Sequence, residues 1–143
     1  MSEGPDEPEF STSDYRRLAD FRCAIRQFLH FSEEAARKNG FEPQQHQLLL
    51  AVKGLPEGVR PTITALSSRL YLKHHSTVEL INRMVDRGFV VRRASDEDRR
   101  EALIDLTPQG EEALRELSIL HWQELQKREP ALSETLQVIV KRS

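Results

Sequence analysis

The 143-residue chain has a single cysteine, Cys23, so no intramolecular disulfide framework can staple it, and a reducing compartment is expected. No apolar run approaches a membrane span, so no membrane partner is expected. The first residues are acidic and lack the apolar stretch of a secretory signal, which points to a cytoplasmic location. The five histidines do not stand at metal-ligand spacing. His74 and His75 are adjacent and face different sides of a helix, while His30, His46 and His121 are far apart in sequence. No metal and no cofactor are expected. The chain has no glycine-rich phosphate loop, nucleophile motif or paired-carboxylate arrangement, so an enzyme is a distant reading.

What is present is charge. Charged residues make up 31% of the chain and apolar ones 38%, which fits one helix-rich domain with a charged surface. The net charge of −2 does not announce a nucleic-acid partner, but its distribution is uneven. From Arg60 to Arg100 nine bases (Arg60, Arg69, Lys73, Arg83, Arg87, Arg92, Arg93, Arg99, Arg100) face five acids, with His74 and His75 in addition. From Met1 to Asp14 there are five acids and no base. A basic face on a mildly acidic protein is compatible with DNA binding.

Periodicity supplies the elements. Residues 1–12 are expected to be a disordered acidic tail. Ser13-Asp14 can cap a helix to about Lys38, with Leu18, Phe21, Ile25, Phe28, Leu29, Ser32 and Ala35–Ala36 in one stripe. Asn39-Gly40 ends it. A second helix follows over Phe41 to Val52, with Pro43 in its first turn and Leu48, Leu49 and Val52 buried. A third runs from Thr62 to Leu70, carrying Ile63 and Leu66. A tight turn leads to a fourth, Lys73 to Arg87, which buries Val78, Ile81, Met84 and Val85. Gly88 stands where a left-handed C-cap is needed. Phe89 to Val91 is β-prone, and Ala94 to Arg100 is too polar to be buried. Glu101 to Leu106 alternates as a strand with one covered face. Thr107 caps and Pro108 opens a fifth helix to about Arg128, carrying Leu114, Leu117, Leu120 or His121, and Leu125. Pro130 is expected to break it and start a sixth helix.

Two short helices joined by a tight turn and followed by a charged hairpin make a winged helix-turn-helix. That arrangement lays one helix in a DNA major groove and a basic loop in the minor groove beside it. The predicted fold is mainly α with a small β-hairpin wing: a winged helix-turn-helix over 41–107, flanked by dimerisation helices at 13–40 and 108–143. The flanking helices carry more apolar surface than one small core can cover, and surplus apolar faces usually find a partner. The first residues of a recognition helix lie deepest in the groove, so Lys73, His74, His75 and Ser76 are candidates for base edges or nearby phosphates. Glu79 can accept from a cytosine amino group. Thr62 and Thr64 can offer hydroxyls and helix N-terminal amides to a phosphate, or simply cap.

The run PTITALSSRLYLKHHSTVELINRMVDRGFVVRRASDEDRREALIDLTPQGEEAL closely resembles the MarR family of bacterial winged-helix regulators. The carrying residues are Asp98-Arg99-Arg100, the strand ending Leu106-Thr107, Gly110, Arg83 with Gly88, and Gln44 with the Leu48–Leu50 run. The resemblance implies a homodimer on pseudo-palindromic double-stranded DNA, a repressor relieved by a small aromatic, lipophilic or anionic effector. It implies that Arg100 enters the minor groove, that Asp98 orients it, that Arg99 meets a phosphate, and that Arg83 holds a phosphate or braces the wing. It also implies an effector pocket where dimer helices meet the winged helix, with Phe21, Phe28, Phe31, His30 and His46 as lining and Arg22 as an anchor. Cys23 does not match the spacing of the family's peroxide-sensing cysteine, so it is expected to be a buried small hydrophobe. The competing reading is a winged-helix protein–protein interaction module without DNA binding.

Overall fold

The computed structural model describes Gly4 and residues 9–141. The described residues form five helices and one hairpin: α1 (Thr12–Lys38), α2 (Pro43–Lys53), α3 (Ile63–Leu70), α4 (His74–Asp86), β1 (Val90–Ala94), β2 (Ala102–Leu106) and α5 (Pro108–Lys141). The expected tail lies outside the described residues at 1–3 and 5–8. The first helix starts before Ser13. Ser11 Oγ accepts from the Asp14 backbone N–H at 3.2 Å, and Asp14 Oδ2 accepts from Ser11 N–H at 2.9 Å. This reciprocal cap makes Thr12, not Asp14, the first helical residue.

Two compact units emerge. The first holds α1 up to Phe31 and α5 from Gln123 onward. There Arg128 pairs with Glu124 at 2.8 Å and donates to Gln27 Oε1 at 3.3 Å. Many of its large apolar side chains stay exposed, including Leu18, Ile25, Leu29, Leu125, Leu136, Val138 and Val140. The expected sixth helix does not exist, because α5 runs through Pro130. Proline removes one backbone N–H and crowds the carbonyl four residues back. That residue, Gln126, is exposed, so its carbonyl can turn to water and the helix continues. Cys23 is exposed, contrary to expectation, because Ala24 beside it takes the covered position.

The second unit, Ser32–Trp122, contains the winged helix. Its core is Ala36, Phe41, Leu48, Leu49, Ala51, Leu66, Leu80, Ile81, Met84, Val90, Ile104, Leu114 and Leu117, so α1 and α5 both contribute to it. In α4 the buried residues are Thr77, Leu80, Ile81 and Met84, with Val78 and Val85 half-buried. Both glycine caps are left-handed. Gly88 has φ 82°, with Phe89 N–H on Met84 O and Gly88 N–H on Val85 O, the paired bonds of a Schellman motif. Gly40, at φ 83°, ends α1 in the same way, through Phe41 N–H to Ala36 O and Gly40 N–H to Arg37 O. Among the described residues, no helix is long and apolar enough to cross a membrane.

Candidate nucleic-acid interface

The placement of α4 begins with its ends. Thr77 is fully buried, accepts from Ser67 Oγ of α3 at 2.9 Å and donates to Lys73 O at 3.0 Å. That chain of hydroxyls ties the two helices across the turn. The turn itself needs a left-handed residue, and Tyr71 takes that role at φ 54°. At the other end, Arg87 donates to Gln45 Oε1 at 2.7 Å and to Gly40 O at 2.8 Å. Its guanidinium lies 4.8 and 5.0 Å from the ring centroids of Phe41 and Phe89, which pack edge to face. A weakly hydrated planar cation suits such a slot. Arg87, counted in the sequence as part of the basic face, is therefore a clamp on the base of the helix.

The exposed side of α4 carries His74, His75, Glu79, Asn82, Arg83 and Asp86. His75, Glu79, Asn82 and Asp86 follow one another at i, i+4, i+7 and i+11, a single stripe down the helix. Lys73 is the N-cap residue and is exposed; Ser76 is half-buried. The wing stem meets α4 at Asn82, while Arg83 is exposed. Asn82 Oδ1 accepts from Arg92 Nη2.

The hairpin pairs Val90 with Leu106 and Ala94 with Ala102 in antiparallel register. The edge of β2 is covered by the segment before α3: Thr62 bridges Leu103, and Ile104 N–H donates to Pro61 O at 3.0 Å. Leu103 and Ile104 are both buried, so the strand is covered more fully than a simple alternation predicts. The tip is also better ordered than its polarity suggests. Ser95 is only 2% exposed. Its hydroxyl accepts from Arg60 at 2.9 Å and from the Glu97 and Asp98 backbone N–H groups, so its polar atoms are satisfied inside the loop. Arg60 also ion-pairs with Glu97 at 3.4 Å and with Glu101. Sequence reading missed Arg60, which reaches the wing from 35 positions upstream of Ser95. No local signal marks so distant an anchor.

Asp98 Oδ1 accepts from Arg100 N–H at 3.0 Å, a bond within the loop backbone. Asp98, Arg99 and Arg100 are all exposed. Thr62 caps α3, accepting from Ala65 N–H at 3.1 Å, and Thr64 is exposed. Of the nine bases between Arg60 and Arg100, four are spent within the fold: Arg60 and Arg93 on carboxylates, Arg87 in its slot, Arg92 on Asn82. All nine are exposed, and Lys73, Arg83, Arg99, Arg100 and Arg69 stand outside those contacts. Of these last, all but Arg69 belong to α4, its cap or the wing tip.

The residues expected to line an effector pocket are divided. Phe21, Phe28 and Phe31 are half-buried and Arg22 and His30 exposed, all on α1 in the first unit. His46 is in the second unit, 4% exposed, with its ring centroid 4.6 Å from that of His121. His121 in turn bonds Leu117 O at 2.6 Å and Ser32 Oγ at 2.7 Å. Burial, with a smaller contribution from His121, lowers the His46 pKa to about 4. Among the described residues, no group of three or more His, Cys, Asp or Glu side chains could hold a metal ion.

Residues 39–101 match the MarR family model. The fold is shared with AbsC, a MarR family transcriptional regulator from Streptomyces coelicolor, at a TM-score of 0.72 and 20% identity over 94% of this chain and 92% of that one. It is shared with a cysteine-to-serine mutant of MarR from E. coli complexed with operator DNA, at 0.68 and 18% identity over 94% and 97%. A MepR mutant from S. aureus bound to an oligodeoxyribonucleotide matches at 0.63 and 15% identity over 94% and 86%. No curated protein matches the chain.

Proposed function

We propose that this chain, whose residues 39–101 match the MarR family model and whose fold is shared with MarR-family regulators, is a MarR-family, sequence-specific DNA-binding transcriptional regulator. It acts as a homodimeric repressor of pseudo-palindromic operators, released by a small aromatic, lipophilic or anionic effector. A cytoplasmic location goes with that reading. The observation that carries it is the set of unspent cations. Four bases of the segment are engaged within the fold, on carboxylates, on Asn82 or against rings, whereas Lys73, Arg83, Arg99 and Arg100 stand outside those contacts, exposed at α4 and the wing tip. Solvated cations on a helix and an adjoining hairpin suit phosphates flanking a groove.

In this reading Lys73, His74, His75, Ser76 and Glu79 meet base edges or the phosphates beside them. Arg83 and Arg99 meet phosphates, and Thr62 and Thr64 add hydroxyls. Arg100 enters the minor groove, where negative potential favours a guanidinium. Selecting bound sequences from a random duplex pool tests the whole proposal. A palindrome should be enriched at low salt, and failure to enrich any sequence would remove the DNA-binding reading.

Arg100→Ala is expected to weaken operator binding and to lower the salt-dependence slope by about one. Stability should move by no more than about 0.5 kcal/mol, because the side chain is solvated. Wild-type affinity and slope in this variant would take the wing off the DNA.

The dimer is supported by the apolar side chains left exposed in the first unit, on both α1 and α5. A two-fold pair also supplies two recognition helices for two half-sites. The full chain should sediment at twice its monomer mass at micromolar concentration, and a monomer there would contradict the architecture.

A further inference from the structure

We infer that Asn82 reads a hydrogen-bond acceptor on a base edge, in an orientation that Arg92 of the wing imposes. The inference rests on the DNA-binding reading above. Asn82 is exposed on the same stripe of α4 as His75 and Glu79. Arg92 stands in β1 opposite Ile104, which is fully buried, so the backbone that carries Arg92 is held by the core. Arg92 Nη2 donates to Asn82 Oδ1.

A guanidinium has only donors, so the amide atom that faces it must be the oxygen. The amide is therefore fixed one way round by chemistry. Its NH2 group turns away from the wing stem and carries two donors. An unrestrained asparagine offers a donor and an acceptor side by side, which is the complement of adenine in the major groove. With its oxygen turned to the wing, Asn82 presents donors alone. The complement of donors is a base that shows acceptors in the groove: guanine through N7 and O6, or thymine through O4. Arg92 is here a positioning residue, and the pair couples the wing stem to the helix that reads sequence. The neighbouring stem cation behaves differently, because Arg93 pairs with the carboxylate of Asp105.

The test compares full-length wild type, Asn82→Ala and Arg92→Ala on the operator that wild type selects, with every single-base mismatch and with melting curves as a check of folding. Both substitutions are on the surface, so the fold should persist. Asn82→Ala should lose, by about tenfold, the preference for guanine or thymine at one base pair of each half-site and keep its preferences elsewhere. Arg92→Ala, with its asparagine freed, should shift the preference at that same pair toward adenine by a similar factor. A uniform loss on all sequences for Asn82→Ala would put the donor on the phosphate backbone and overturn the inference. So would an Arg92→Ala variant with unchanged base preference. Those outcomes leave the DNA-binding reading intact, whereas a wild type that selects no sequence removes both.

Discussion

Gly110→Ala should destabilise the protein by about 3 kcal/mol and lower the melting temperature by roughly 10 °C. Gly110 is the third residue of α5, and its backbone lies against the carbonyl of Phe89 at the mouth of the wing. A Cβ built there would stand 2.0 Å from Phe89 O and 3.1 Å from Phe89 C. Both are backbone atoms, so no side chain can swing aside. The same carbonyl accepts from Thr107 N–H at 3.1 Å, while Thr107 Oγ1 accepts from Gly110 N–H at 3.0 Å and donates to Gly88 O at 2.7 Å. Moving α5 away strains all three bonds and the left-handed cap of α4 together. Helix propensity argues the other way, since alanine is favoured over glycine by about 1 kcal/mol in a helix interior. The steric term is larger, so it decides the sign. Glu112→Ala, exposed two positions on, is the control and should change stability by less than about 0.5 kcal/mol. A neutral or stabilising Gly110→Ala in urea unfolding would mean that α5 is not seated against the wing as described.

The fold around that glycine was legible because its signals are local. Gly88, the strand-forming run Glu101 to Leu106, and Thr107-Pro108 each announce a cap or strand within a few residues, and a left-handed cap, a strand and a helix start stand there, although β2 buries both Leu103 and Ile104 rather than one face alone. The exposed side of α4 was legible for the same reason, since helical spacing sets His75, Glu79 and Asn82 apart from Ile81 and Met84, but the buried stripe takes in Thr77 and Leu80 and leaves the expected Val78 and Val85 half-buried. What could not be read depends on partners far along the chain. Ser95 looks like a solvated tip residue until Arg60 is brought to its hydroxyl. Arg87 looks like part of the basic face until two rings and the Gly40 carbonyl close on it. Asn82 and Arg92 have the spacing of unrelated surface residues until the hairpin folds back beside α4. Pro130 misled for another reason. A proline penalises a helix by a finite amount, and a long helix can absorb it where the freed carbonyl reaches water.

His46 should make the protein acid-sensitive. The imidazole is buried on α2 against the ring of His121, and desolvation disfavours its charged form. Its pKa falls from 6.5 to about 4 on folding. Between those values the unfolded chain binds a proton at this site and the folded chain does not, so stability rises with pH. The contribution is complete above pH 6.5, declines as the pH drops, and is lost once it passes below about 4. The full span corresponds to about 3 kcal/mol, and the part between pH 7 and pH 5 to about 2 kcal/mol. Carboxylates titrate mostly below that upper window, which makes pH 7 to 5 the place to measure. The urea midpoint should fall by about 1 M across it, given the slope expected for a protein of this size. His46→Gln keeps a polar side chain of similar reach but does not titrate. It should lose stability at pH 7, where the wild-type packing is intact, and show a much flatter profile from pH 7 to 5. Parallel profiles for wild type and His46→Gln would show that His46 is not a buried neutral imidazole, and would undo the packing of α2 against α5 on which this argument stands.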